Sequence, residues 1–318
     1  MLSKVLERIE RKYEHDDSKI KYFSEILNEF YKNREFNNEC ESSLEYVGLY
    51  KKHDLLLYGK NYPLFKSILY FNEVPLFKSE TQAIVFLKKN GFNPSKTYFD
   101  LKDSERIELG NKLMYLILKK VPNEFIDYVP KLVFGDCYYL KKYNIELEEY
   151  VSKLNALSKI NEHGEIEKSI VYQKLPDEDL VKKYRMDLAK SINLFNKMLE
   201  DKEINHTTIE YNNKKFTCQY IYIKQSIWDR IKGWVFGSIK AEHYPALVNI
   251  AYSNPKIDYL KPFFILNEDG YRINVFARVP KLLYFKYNLT LNHMNLTGKH
   301  TYFGSWSNEL MYEFLGKG

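Results

Sequence analysis

Apolar residues in the first 36 positions recur at helical spacing: Leu2, Val5, Leu6 and Ile9, then Ile20, Phe23, Ile26, Leu27 and Phe30, with Asp17 placed to cap the second run. This predicts two amphipathic helices or one bent helix. From Asn37 to Pro75 the pattern breaks into YVGLY, HDLLLYG and FKSILYFNEV, interrupted by Gly48, Gly59 and Pro63, as for short strands or irregular connections. SETQAIVFLKKNG predicts a helix with Ser79 as N-cap, Gln82 completing a capping box, Lys88 and Lys89 in the last turn, and Gly91 stopping it. Further helices are expected from Ser104 to Lys120, where Pro122 follows, and over NIELEEYVSKLNALSKI, which runs into a polar hairpin, loop or hinge at NEHGEIEK. The clearest pattern begins at Pro176. Asp177, Glu178 and Asp179 in an opening turn, and a stripe of Leu180, Tyr184, Leu188, Ile192, Phe195 and Leu199, predict one long helix.

Beyond that helix the period shortens to two. HTTIEYNNKKFTCQYIYI alternates about Asn212-Asn213, a hairpin with Phe216, Cys218, Tyr220 and Tyr222 on one face. EHYPALVNIAYSNP predicts a short helix ended before Pro255. A second hairpin is expected to turn at Glu268-Asp269-Gly270, with a further strand after Pro280 and a strand, turn and strand in LNHMNLTGKHTYFGSW. The expected fold is α+β, a mainly helical N-terminal part over 1–205 followed by a smaller part over 206–318 holding an antiparallel sheet.

Composition changes this picture in two respects. The 28 Tyr and 20 Phe give large buried areas with polar ends left over. Residues 1–205 carry 34 basic and 34 acidic side chains, whereas 206–318 carry 14 and 8, so the whole surplus of +6 falls in the sheet-forming part. Lysine and arginine among aromatic rings suit contact with RNA or DNA, phosphates being neutralised and bases stacked. A lysine-rich solvated surface, of the kind AT-rich coding produces, is the plain alternative. Cys40, Cys137 and Cys218 are far apart without a CxxC pair, as in a reducing compartment. The N-terminus lacks the apolar core of a signal peptide and no apolar run approaches the ~18 residues of a membrane span, so a cytoplasmic protein with no membrane partner is expected.

Several chemistries lack their residues. GxxxxGK[ST], GxGxxG after a strand, HExxH and HxH are absent, which argues against ATPase, dinucleotide and histidine-metal readings and for no cofactor and no metal. Asp100, Lys102 and Asp103 in YFDLKDSE match the D-x-K piece of a two-metal nuclease, or form a capped loop before the Ser104 helix. Cys137 is a conceivable nucleophile with His206 or His243 as base, or an ordinary buried cysteine.

Four of seven histidines, His206, His243, His293 and His300, fall in the basic part. Metal-independent RNA cleavage needs a base for the 2′-hydroxyl, an acid for the leaving oxygen and a cation on the phosphorane. The order EHYPALVNIAYSNP, strands, GKHTYFGS resembles the layout of barnase-like and RelE-like nucleases over about 75 residues. That resemblance implies His300 or His293 as acid or base, Lys299 and Arg278 on the phosphate, and Thr301 on a phosphate oxygen. His293 and His300 converge only if MNLTGK is a turn, which Gly298 permits. The expected function is nucleic-acid binding or cleavage, as in a phage, mobile element or low-GC bacterium. The alternative is a non-enzymatic protein that binds a host complex or builds a virion, often a homo-oligomer, with Trp306, Leu310, Tyr312 and Phe314 as a docking tail or as a helix that closes the core.

Overall fold

Local signals set the helices. Asp17 accepts the backbone N–H groups of Lys19 at 2.9 Å and Ile20 at 3.2 Å, which starts α2 (Ser18–Asn33) just after α1 (Leu2–Lys12) ends. A computed structural model describes residues 2–15, 17–33, 36, 43–71, 73–224, 239–269, 272–298 and 300–316. The chain divides into two units, the first being Met1–Phe71, Ser79–Tyr115 and Val133–Asp187, the second Asn72–Lys78, Leu116–Leu132 and Leu188–Gly318. Compared with a division at 205/206, the second unit further takes in 188–205 and two earlier excursions. The long helix α9 therefore contributes to both units.

In unit 1, α1 and α2 are followed by β1 (Leu49–Leu55), α3 (Leu64–Leu69), α4 (Glu80–Lys89) and most of α5 (Asp103–Leu118). After α6 (Val129–Val133), at the unit's edge, come β2 (Phe134–Leu140), β3 (Ile145–Glu146), α7 (Leu147–Lys159), α8 (His163–Val171) and the start of α9 (Glu178–Asp201). The strands form a three-stranded antiparallel sheet in the order β1-β2-β3. The buried faces of α1, α2, α7 and α8 close a core of Leu6, Phe23, Leu27, Tyr150, Leu154 and Ile166. Two expectations change here. FKSILY holds a helix rather than a short strand or irregular connection, and NEHGEIEK runs into α8 rather than forming a hairpin, loop or hinge. Ser79 caps α4 through the Gln82 N–H at 3.3 Å and Gly91 follows at φ +81°, as the sequence predicts.

Unit 2 is built on a six-stranded sheet, order β4-β5-β6-β7-β9-β8, from β4 (Asn205–Tyr211), β5 (Lys214–Lys224), β6 (Phe263–Asp269), β7 (Arg272–Arg278), β8 (Asn295–Gly298) and β9 (Thr301–Trp306). Asn212 and Asn213, at φ 48° and 59°, make the tight β4–β5 turn. The sheet is mixed, not wholly antiparallel. β5 and β6 run parallel, because α10 (Tyr244–Ile250) lies in the crossover between them. On one face Ile221, Phe263, Ile265 and Phe276 pack with Phe195 and Leu199 of α9 and with Tyr244, Leu247 and Val248. On the other, Phe264 and Trp306 meet Phe314 of α12 (Asn308–Phe314), at ring centroids 4.8 and 5.2 Å away. The C-terminal segment thus closes the sheet, although Tyr312 remains 49% exposed. The segment after Pro280 is a helix, α11 (Lys281–Tyr287), not a strand. Among the described residues no helix is long and apolar enough to cross a membrane.

Candidate functional site

The register of β7 and β9 makes Arg278 and Thr301 direct cross-strand partners, on the helix-covered face of unit 2 in one row with Phe263 and Gln219. Polar side chains on such a face must find protein partners. Arg278, 4% exposed, donates through Nη2 to Glu73 Oε1 at 2.9 Å and through Nη1 to the Asn249 carbonyl, with its guanidinium 5.0 Å from the centre of the Tyr252 ring. Lys281, the first residue of α11, reaches the same Glu73 oxygen at 2.8 Å. Burial alone would raise the Glu73 pKa, but Arg278 and Lys281 overcome it and hold the carboxyl at about 2. Thr301 Oγ1 donates to Asn249 Oδ1 at 2.7 Å.

His300 lies in the two-residue connection between β8 and β9 at φ 63°, 9% exposed. Its ring centre is 4.5 Å from that of Tyr284, its carbonyl accepts the Val279 N–H at 2.9 Å, and its proximity further lowers the Glu73 pKa. Arg278, Thr301 and His300, three of the five residues named from the sequence, therefore surround one polar cluster. His293 does not join them through a turn at MNLTGK. Residues 295–298 of that segment are strand β8, so the histidines flank its two ends, roughly 13 Å of extended chain. His293 is exposed at φ 59°, its carbonyl accepting the Trp306 Nε1–H at 3.4 Å. Lys299 lies outside the described residues. Sequence reasoning missed Glu73, Asn249 and Lys281. The one signal for Glu73 was a lone charge inside the apolar run YFNEVPLF.

A second arrangement in unit 2 faces solvent. The β4–β5 turn exposes Lys214 and Lys215, and Lys214 Nζ lies 4.6 Å from the centre of the Tyr287 ring. Lys286 Nζ lies 5.1 Å from the same ring and is held there by Glu124, which also accepts the Tyr287 hydroxyl at 3.1 Å. Phe216 supports Tyr287 edge-on at 5.3 Å. Cations thus flank a ring that is fixed by its own hydroxyl and by packing. Counted by unit, the surplus is sharper than by sequence thirds: unit 2 holds 21 of the 48 Lys and Arg but only 14 of the 42 Asp and Glu, leaving unit 1 with 27 against 28.

The other candidates resolve locally. Asp100 accepts the Thr97 N–H and hydroxyl, both at 2.8 Å, so it caps a 3₁₀ turn, and Asp103 pairs with Lys52 at 3.0 Å and Arg106 at 3.3 Å. Among the described residues there is no group of three or more His, Cys, Asp or Glu placed to hold a metal ion. Burial pushes the Cys137 thiol up to about 12, leaving it protonated near neutral pH and poorly suited to attack. His243 is buried and bonded through Nδ1 to Ser191 at 2.7 Å, while His206 is exposed on β4.

These observations define a two-unit α+β protein with a helix-covered mixed sheet, an internally paired ionic cluster and an exposed basic and aromatic turn. No protein-family model matches the chain. It belongs to the family of the uncharacterized protein MJ1071 of Methanocaldococcus jannaschii, to which it is 49% identical over 298 residues, 94% of either chain. The crystal structure of CDC45 from Entamoeba histolytica aligns with 96% of this chain and 69% of its own at 9% identity and a TM-score of 0.45, too distant to bear on fold or function.

Proposed function

We propose that the chain binds nucleic acid through unit 2, with Lys214 and Lys215 on phosphates and the Tyr287 ring as a stacking surface for an unpaired base. The cytoplasm is the compartment that fits this reading. The observation that carries it is the surplus of 21 basic over 14 acidic residues in unit 2, with exposed lysines at the β4–β5 turn beside the lysine-flanked, half-buried Tyr287 ring of α11. Binding is favoured over cleavage because Arg278 and Thr301 already donate to Glu73 and Asn249 inside the fold. Cleavage remains the second reading because His300, Arg278 and Thr301 do share a cluster.

Affinity for a labelled single-stranded RNA or DNA, followed by fluorescence anisotropy, is expected to fall steeply between 50 and 300 mM KCl. Reversing Lys214 and Lys215 to glutamate is expected to weaken binding by at least about tenfold and to flatten the log–log salt slope by roughly 1.4, the value for two phosphate contacts on a single strand. A flat salt response, or equal binding by the double variant, counts against the reading. RNA cut in EDTA by the wild type but not by His300→Ala would favour the second.

A further inference from the structure

Unit 1 encloses a cluster with more acids than cations. Lys60, 0% exposed, follows Gly59, whose φ of +68° turns the chain inward after β1. Its Nζ donates to the Tyr139 hydroxyl at 2.7 Å, to Glu146 Oε1 at 3.3 Å and to Cys137 Sγ at 3.3 Å, and lies 3.8 Å from Asp54 Oδ2. Asp54 also accepts hydroxyl protons from Tyr139 at 2.6 Å and from Tyr98, and the Leu55 N–H at 2.9 Å. Around the cluster lie Arg106, 4.9 Å from the centre of the Tyr98 ring, Asp103, which is paired with Lys52 and Arg106 and repels Asp54, and Glu148 on α7 near Glu146.

Two carboxylates facing one ammonium leave a net negative charge in a buried site, and a proton is the simplest way to remove it. The bonding pattern decides which acid takes it. Asp54 has three donors besides Lys60, whereas Glu146 depends on Lys60 and the weakly donating Cys137. Burial would raise the Asp54 pKa, but Lys60 and the two tyrosines bring it below the usual carboxylate value. Burial raises Glu146 to about 7 despite Lys60. Glu146 also occupies a corner in the chain. It pairs with Tyr139 as the last residue of β3 and is the N-cap position of α7.

We propose that Asp54, Lys60 and Glu146 form a proton-operated latch: with a proton on Glu146 the β3–α7 corner is held against β1 and β2, and when that proton leaves the corner loosens. Glu146 has a folded pKa above its unfolded value, so its contribution is complete below about pH 4.5 and fades as pH rises through about 7.

Cys137 reports on this directly, since it is 2% exposed inside the cluster, while Cys218 in unit 2, 0% exposed, serves as an internal reference. Burial raises both thiols to about 12, so the rise of thiolate with pH that they share is divided out in the ratio, and the Glu146 charge, which raises the Cys137 thiol further, works against a rising ratio rather than producing one. The full chain would be treated with N-ethylmaleimide from pH 6 to 8.5, with labelling followed per peptide by mass spectrometry. The Cys137 to Cys218 rate ratio is expected to rise, by at most about tenfold per pH unit for one linked proton. Glu146→Gln, which mimics the protonated acid, should flatten the profile. Asp54→Asn leaves Glu146 in a one-to-one pair with Lys60 and should also flatten it over this range, so it serves if Glu146→Gln does not fold. A constant wild-type ratio, or a rise that survives in whichever of the two variants is folded, overturns the latch.

Discussion

Replacing Glu73 by glutamine is expected to destabilise unit 2 by about 3–5 kcal/mol, the usual cost of removing the acid from a buried ion-paired cluster. Arg278 and Lys281 both point at one Glu73 oxygen, 2.9 and 2.8 Å away, and neither side chain is more than 11% exposed. Glutamine keeps the size and offers a neutral carbonyl, so the loss isolates charge rather than packing. The wild type should show the same dependence on acidification. The Glu73 pKa is depressed from 4.5 to about 2, so its stabilisation is present above about pH 4.5 and lost as pH falls through about 2. Urea unfolding of wild type and Glu73→Gln at pH 7 and pH 3 is the measurement. The gap between them should narrow on acidification. A loss below about 1 kcal/mol at pH 7 would mean that water, not Glu73, compensates the two cations.

Elements whose signals lie within a few residues were legible. Asp17 and Ser79 cap helices where their spacing to the following apolar stripe placed them, whereas Asp177, expected inside the opening turn of α9, instead caps it from just outside; Asn212-Asn213 sets a hairpin because few residues tolerate two successive positive φ angles. The α+β class followed from the change of period after α9. Ambiguity entered where an apolar run was short. FKSILY and KLLYFKY are compatible with either period, and tertiary packing made both helical. The parallel β5–β6 pair was not legible either, since pairing direction depends on a crossover rather than on strand pattern.

The candidate site was half legible for a related reason. Arg278, His300 and Thr301 stood out because they are polar residues in a strand-forming, aromatic part of the chain, and the β7–β9 register does bring Arg278 opposite Thr301. Their partners come from far away: Glu73 from an excursion some 200 positions earlier and Asn249 from α10. Without these two residues Arg278 reads as a free phosphate ligand, and with them as part of an internal bonding network. The Lys60 cluster left no trace in the sequence, because Asp54 and Glu146 lie 6 positions before and 86 after Lys60 and each is an ordinary residue alone.

That cluster gives the second large effect. Lys60→Met is expected to cost unit 1 about 3–5 kcal/mol at pH 8, although methionine roughly matches the lost volume. Burial is tolerable for Asp54 and Glu146 because one ammonium lies 3.8 and 3.3 Å from them. Without it the tyrosine hydroxyls still support Asp54, but Glu146 loses its main partner and two like charges face each other in low dielectric. Both acids would then bind protons more readily, so the loss should be smaller at pH 5 than at pH 8, measured by urea unfolding at each pH. If uncompensated charge is the cause, adding Asp54→Asn and Glu146→Gln to Lys60→Met should recover stability at pH 8, because no buried charge remains. If the cause is instead the lost contact between the lysine stem and the Tyr98 and Tyr139 rings, 5.1 and 5.2 Å from Nζ, the triple variant should be no better than the single one, and the pH dependence should be absent.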